Sequence, residues 1–164
     1  MSLQFLKAGT ADAVNLMCIS KKSFDSDVEV GATGAGGPPG YNSLSFHTKM
    51  ARMNCLYKLV DDYKIVGGAL LFLKDDQLNV GRIFIAPEYF RKGYGIFMME
   101  QIESMFPEVK TFTLDTPVWN VRTNAFYQKL GYVEVKRDGD FVYYAKDKTS
   151  QEMTGNILWA DLYF

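Results

Sequence analysis

Residues 83 to 97, IFIAPEYFRKGYGIF, carry the most specific chemistry in the chain. A strand-like apolar run ends at Pro87, a short polar loop brings Arg91 and Lys92, and Gly93 and Gly95 open an apolar helix. Glycines at a helix start leave backbone N–H groups bare, and the aligned peptide dipoles add partial positive charge there. Such a turn can hold a pyrophosphate. Arg91 and Lys92 would add charge to the same ligand. A plain strand-to-helix turn with solvated basic residues has the same composition, and a lone Gly-x-Gly does not separate the two.

The other reactive side chains are few. Asp25, Asp27 and Glu29 follow the first helix, and with Tyr41 they could receive a cationic substrate or simply form a solvated acidic loop. His47 is the single histidine, expected on a helix surface or partly packed. Cys18 and Cys55 read as small apolar fillers, too few for a disulfide framework, which favours a reducing, cytoplasmic setting. One histidine and no Cys-x-x-Cys leave a zinc ion almost no ligands, so no metal is expected.

In composition, 164 residues suit one domain, and 48% hydrophobic residues exclude disorder. A net charge of -1 argues against nucleic acid as partner. No window approaches the roughly 18 uninterrupted apolar residues of a membrane span. The start, MSLQFLKAGTADAV, lacks the apolar run of a secretory signal.

The positioning elements follow in chain order. LQFLK (3 to 7) is a strand, and Thr10 caps a helix to Lys22 with Val14, Met17 and Cys18 as its apolar stripe. GATGAGGPPG (31 to 40) holds five of fourteen glycines and two of five prolines, and reads as a mobile loop on the substrate side. Residues 43 to 53 suit a short helix burying Leu44, Phe46, Met50 and Met53. CLYKLV (55 to 60), IVGGALLFL (65 to 73) and LNVGRIFIA (78 to 86) are strands with hairpin-like links, and so antiparallel. A helix from Gly95 to Phe106 leads to a strand at 109 to 115, expected parallel to the one before it. A helix over 121 to 130 stops at Gly131, and YVEVK and FVYYAK close the domain as a hairpin at RDGD.

The frame Phe90-Arg91-Lys92-Gly93-Tyr94-Gly95 resembles the acetyl-CoA signature of the GNAT superfamily of N-acetyltransferases, Gln/Arg-x-x-Gly-x-Gly/Ala. Phe90 is the departure, with Arg91 beside it as a substitute polar contact. Downstream, Asn120, Tyr127 and Gly131-Tyr132 are similar to the family's Asn-x-x-Ala-x-x-x-Tyr-x-x-x-Gly-Phe/Tyr, with Thr123 in place of the alanine. The two motifs stand in the family's order.

The resemblance implies an α+β fold with α/β-type layers: a mixed, mostly antiparallel sheet of about seven strands with a central parallel splayed pair, flanked by about four helices. Residues 1–147 would form one such domain, and 148–164 an extension. It also implies acetyl-CoA as cosubstrate, with no metal. Backbone groups of Ile83, Phe84 and Ile85 would pair with the pantetheine arm, and Arg91, Lys92, Gly93, Tyr94, Gly95 and Ile96 would hold the pyrophosphate. Asn120 would hydrogen-bond the arm and Phe126 pack beside it. Tyr127 would protonate the leaving thiolate, and Asp115, five residues before Asn120, would act as base or bind the substrate ammonium; capping near Thr116-Pro117 is its other reading. Asp25, Asp27 and Tyr41 lie where such folds recognise substrates. The activity implied is acetyl transfer to a small-molecule or peptide amine by direct attack in a ternary complex. A non-catalytic acyl-CoA sensor or a protein-interaction domain are the rival classes. The tail TGNILWADLYF can add a strand, cover the sheet or form a homodimer contact.

Overall fold

The protein is described from a computed structural model covering residues 2–148. The expectations for residues 149–164, including the role of the aromatic tail, lie outside the described residues.

Seven strands form one sheet: β1 (Leu3–Lys7), β2 (Leu56–Asp61), β3 (Lys64–Lys74), β4 (Gln77–Ile85), β5 (Thr111–Pro117), β6 (Val133–Arg137) and β7 (Phe141–Asp147). Their order is β1-β2-β3-β4-β5-β7-β6, and every neighbouring pair is antiparallel except β4–β5. The long crossover between β4 and β5 contains a helix, which is how a chain must return to lay a parallel strand. The described residues also form four α-helices: α1 (Ala13–Asp25), α2 (Leu44–Arg52), α3 (Tyr94–Met105) and α4 (Val121–Lys129). This is the GNAT layout expected from the sequence.

Side chains alternate across the sheet, so two apolar clusters form. Val66, Ala69, Leu71, Phe112 and Leu114 meet Met98, Met99 and Ile102 of α3 and Tyr127 of α4 on one face. Leu56, Leu70 and Phe84 meet Leu16 of α1 and Met50 of α2 on the other. A Cβ on Gly68 would stand 2.8 Å from Cδ2 of Leu16, so α1 approaches the sheet where β3 has no side chain.

Two helices bury a different face from the one expected. The inner face of α1 is Ala13, Leu16, Ser20 and Ser23, while Val14 and Cys18 are exposed. Small residues suit an interface that tight, and they do not register as an apolar stripe. In α2 the buried residues are His47, Met50 and Ala51, with Leu44 and Met53 exposed. His47 is therefore fully buried rather than on a surface, and Cys18 is not a core filler. Among the described residues no helix is long and apolar enough to cross a membrane.

The feature that matters for function is where β4 and β5 part. They pair only at Gln77–Thr111, Leu78–Phe112 and Asn79–Thr113. Asn79 Nδ2 donates to Thr113 Oγ1 at 3.0 Å across the last pair. Just beyond, Leu70 faces Arg82 and Leu71 faces Val80, so Gly81 is an extra residue. A Cβ there would meet Phe72 at 2.5 Å, which is why glycine occupies the bulge. A bulge bends its strand, and β4 leaves β5 at this point.

Candidate functional site

The parted strands open a cleft of about 960 Å³, at the upper end of the range typical for ligand pockets. Its walls are β4 from Val80, the turn after it, the end of β5, the start of α4, and the glycine-proline loop.

Along β4, Ala86 N donates to Val66 O at 2.9 Å, and Phe84 lies opposite Gly68. Main-chain groups alternate sides along a strand, so those of Phe84 and Ala86 point to β3. Those of Ile83 and Ile85 point to the gap. Of the three residues expected to pair with an extended ligand, two have that orientation. Phe84 also belongs to the cleft lining, but it is 2% exposed and its ring packs in the α1–α2 cluster.

The turn is built from left-handed residues, Arg91 at φ 62° and Gly93 at φ 81°. The first backbone bond of α3 runs from Phe97 N to Gly93 O at 3.1 Å. The amides of Tyr94, Gly95 and Ile96 precede it, and a helix has no internal partner for them. Arg91, Gly93, Gly95 and Ile96 line the cleft. Tyr94 also contributes to the lining, but its ring is 3% exposed and its hydroxyl donates to Asp61 Oδ2. That bond, with burial, pushes the phenol up to about 12. Lys92 lies outside the lining, its Nζ 5.4 Å from the centre of the Tyr89 ring.

Asn120 is 2% exposed and caps α4, its Oδ1 accepting from Thr123 N at 3.1 Å. Its Nδ2 makes no bond to another described residue, so one amide donor is left at the cleft wall. Phe126 stands beside Tyr127, ring centres 5.2 Å apart. Tyr127 is 5% exposed and boxed by Tyr132 at 5.9 Å and Tyr144 at 6.3 Å. Burial, reinforced by the charge of Asp115, raises its pKa well above the ordinary phenol value, so the hydroxyl stays protonated. Asp115 lines the same cleft, and its own pKa is raised, first by desolvation and then by Asp138.

The expected substrate carboxylates separate. Asp25 accepts from Lys21 Nζ at 2.6 Å and from the Tyr41 hydroxyl at 2.9 Å; neither Asp25 nor Tyr41 lines the cleft. They sit behind the glycine-proline loop, where a Cβ on Gly37 would meet Tyr41 at 2.7 Å. Asp27 does line the cleft, but Arg122 Nη2 lies 3.3 Å from its Oδ1. Burial still holds the Asp27 pKa above the usual carboxylate value, against the pull of Arg122.

Two site residues escaped the sequence reading. Arg82 donates to Pro39 O and lies 4.7 Å from the centre of the Phe46 ring, tying the loop to β4. Arg122 was signalled by its position: a cation in the first turn of a helix opposes the dipole and calls for an anion nearby.

A family profile described as an acetyltransferase (GNAT) domain matches residues 53–134. No curated protein sequence matches the chain. Several solved structures share the fold. The PaiA N-acetyltransferase of Thermoplasma acidophilum, in complex with coenzyme A, superposes with a TM-score of 0.77 at 17% identity, covering 90% of this chain and all of that one. An acetyltransferase of Thermus thermophilus gives 0.76 at 15% identity, covering 90% of this chain and 98% of its own. The ribosomal-protein-S18-alanine N-acetyltransferase of Escherichia coli gives 0.64 at 17%, covering 89% and 94%.

Proposed function

The chain belongs to the GNAT acetyltransferase family, and from that premise we propose that it moves acetyl from acetyl-CoA to a primary amine by direct attack in one ternary complex. The observation that carries the proposal is the alignment of three features along one cleft: the helix-start amides of Gly95 and Ile96, the open edge of β4 at Ile83 and Ile85, and the buried phenol of Tyr127. These residues fit acetyl-CoA. Unbonded amides at a helix start suit phosphates, and a free strand edge suits an extended amide-bearing arm. The coenzyme A in the Thermoplasma structure supports the same choice.

Acetyl-CoA, when bound, supplies an activated thioester and a thiolate leaving group. The chain does the rest. Residues 91 and 93–96 would hold phosphate oxygens, Ile83 and Ile85 would hold the arm, and Asn120 would add an amide donor. Main-chain N–H groups of β4 would polarise the thioester carbonyl. Asp115 takes a proton from the substrate ammonium, directly or through water, which frees the amine lone pair for attack, and its raised pKa makes it a stronger base than a free aspartate. Tyr127 keeps its proton at neutral pH and would deliver it to the departing sulfur, and the second proton lost by the acylated nitrogen would restore the phenol.

The test is release of free CoA across a panel of small-molecule and peptide amines, with Tyr127→Phe as control. Turnover with at least one amine, lost in the variant, is expected. Stabilisation by acetyl-CoA with no release for any amine would overturn catalysis in favour of a sensor role.

A further inference from the structure

At position 90 this chain departs from the GNAT signature, with a phenylalanine in place of a polar residue. The structure puts a cation there by another route. The guanidinium of Arg122, from the first turn of α4, lies 4.7 Å from the centre of the Phe90 ring, and both residues line the cleft. A guanidinium stacked on an aromatic face keeps its N–H edge free to bond in its own plane.

The bond Arg122 makes within the chain does not exhaust it. One contact, Nη2 to Asp27 Oδ1 at 3.3 Å, is long for an ion pair and is not the two-pronged fork that arginine forms with a fully engaged carboxylate. The arginine side chain is 38% exposed and that of the aspartate 14%. Asp27 is not pulled below its ordinary pKa by the pair, since burial outweighs it. The remaining donors make no bond to another described residue. Arg91, next to Phe90, stands in the same lining, as do Gly95 and Ile96 of the following helix start.

We propose that Arg122, stacked on Phe90, binds a phosphate of the CoA moiety in place of the polar side chain missing at position 90, with Asp27 as its partner when no cofactor is bound. The proposal rests on the acetyl-CoA reading. It gives Asp27 the task of holding the guanidinium in register, and it removes the need for Arg91 to replace the missing contact alone.

Binding, not turnover, is the readout. Isothermal titration of CoA and of phosphate-free pantetheine into the full-length protein would be compared for wild type, Arg122→Gln, Arg122→Lys and Asp27→Asn. Arg122→Gln should weaken CoA by roughly tenfold or more, the size of one lost charge-assisted hydrogen bond. Pantetheine should change less than about twofold, Arg122→Lys should recover part of the loss, and Asp27→Asn should leave CoA affinity equal or tighter. The proposal is overturned if Arg122→Gln binds CoA like wild type. It is equally overturned if pantetheine weakens as much as CoA, or if Asp27→Asn weakens CoA as much as Arg122→Gln, because the pair would then be a strut. Wild-type protein that binds no CoA would remove the acetyl-CoA reading and this inference together. A null Arg122→Gln result with normal wild-type binding removes this inference alone.

Discussion

Gly95 faces Phe126 at the limit of contact: a Cβ on the glycine would stand 3.2 Å from Cζ of the ring and 3.6 Å from Cδ1 of Ile85. The start of α3, the second half of α4 and the last residue of β4 thus converge on one point, where the cleft wall has room for a glycine and little more. Gly95→Ala should shift the ring by a few tenths of an ångström, with about 0.5–1 kcal/mol of helix preference offsetting the crowding. Gly95→Val should weaken CoA binding by roughly tenfold or more, as overpacking of about 1–3 kcal/mol narrows the cleft. Titration of both variants with CoA checks this; wild-type affinity in the valine variant would refute it.

Tyr127→Phe separates proton delivery from packing. The Tyr127 hydroxyl makes no hydrogen bond to another described residue, while the ring is held by Phe126, Tyr132 and Tyr144. Thermal stability and CoA affinity should therefore stay near wild type. Turnover should drop by roughly 10²-fold or more, the scale of general acid catalysis. Equal losses in stability and turnover would assign the residue to the core alone.

Asp115 should leave a signature in the pH profile. Its pKa is raised, first by desolvation and then by Asp138. Only the ionised form can accept a proton, so activity should fall with acidification at a higher pH than an unperturbed aspartate would set. Asp115→Asn should lower kcat/KM by about 10²-fold and erase that acidic limb. Retention of the limb in the variant would give it to another group, such as the amine itself.

His47 sets a stability limit of a different kind. It is fully buried, its Nδ1 is 2.7 Å from Ser43 O, and burial lowers its pKa. A histidine whose folded pKa lies below its unfolded value, about 6.5, contributes full stability above that value and loses it as pH falls toward and through the folded pKa. The melting temperature should decline as the pH falls through about 6.5, and His47→Leu should flatten part of that slope. An unchanged slope in the variant would rule the residue out.

Much of this was legible in the sequence because it rests on local patterns. The strands over 65 to 73 and 78 to 86, the Asp-Gly hairpin and the helix from Gly95 all declare themselves by period and by turn residues. The parting of β4 from β5 came with the family resemblance, but its cause, the bulge at Gly81, shows only in the register. Helix faces were harder. α1 presses on the sheet with alanine and serine, so its exposed Val14 looks more like a core residue than its buried Ser20 does. Side-chain pairings were hardest. Asp25, Asp27 and Tyr41 are neighbours in type, yet Lys21 and Tyr41 claim one carboxylate and Arg122, 95 positions away, claims another. Partnerships of that range depend on the assembled fold and leave little trace in spacing.

The seam between β4 and β5 has a thermodynamic consequence. A sheet that zips for three residues and then stops leaves part of its ladder unformed, with the amides of Ile83 and Ile85 turned toward open space. Any extended ligand that bonds there would act as a borrowed strand, joining the two halves of the sheet from within. Occupancy would then appear as cooperativity: slower hydrogen exchange at those two amides, and a sheet that unfolds as one unit rather than along its central gap.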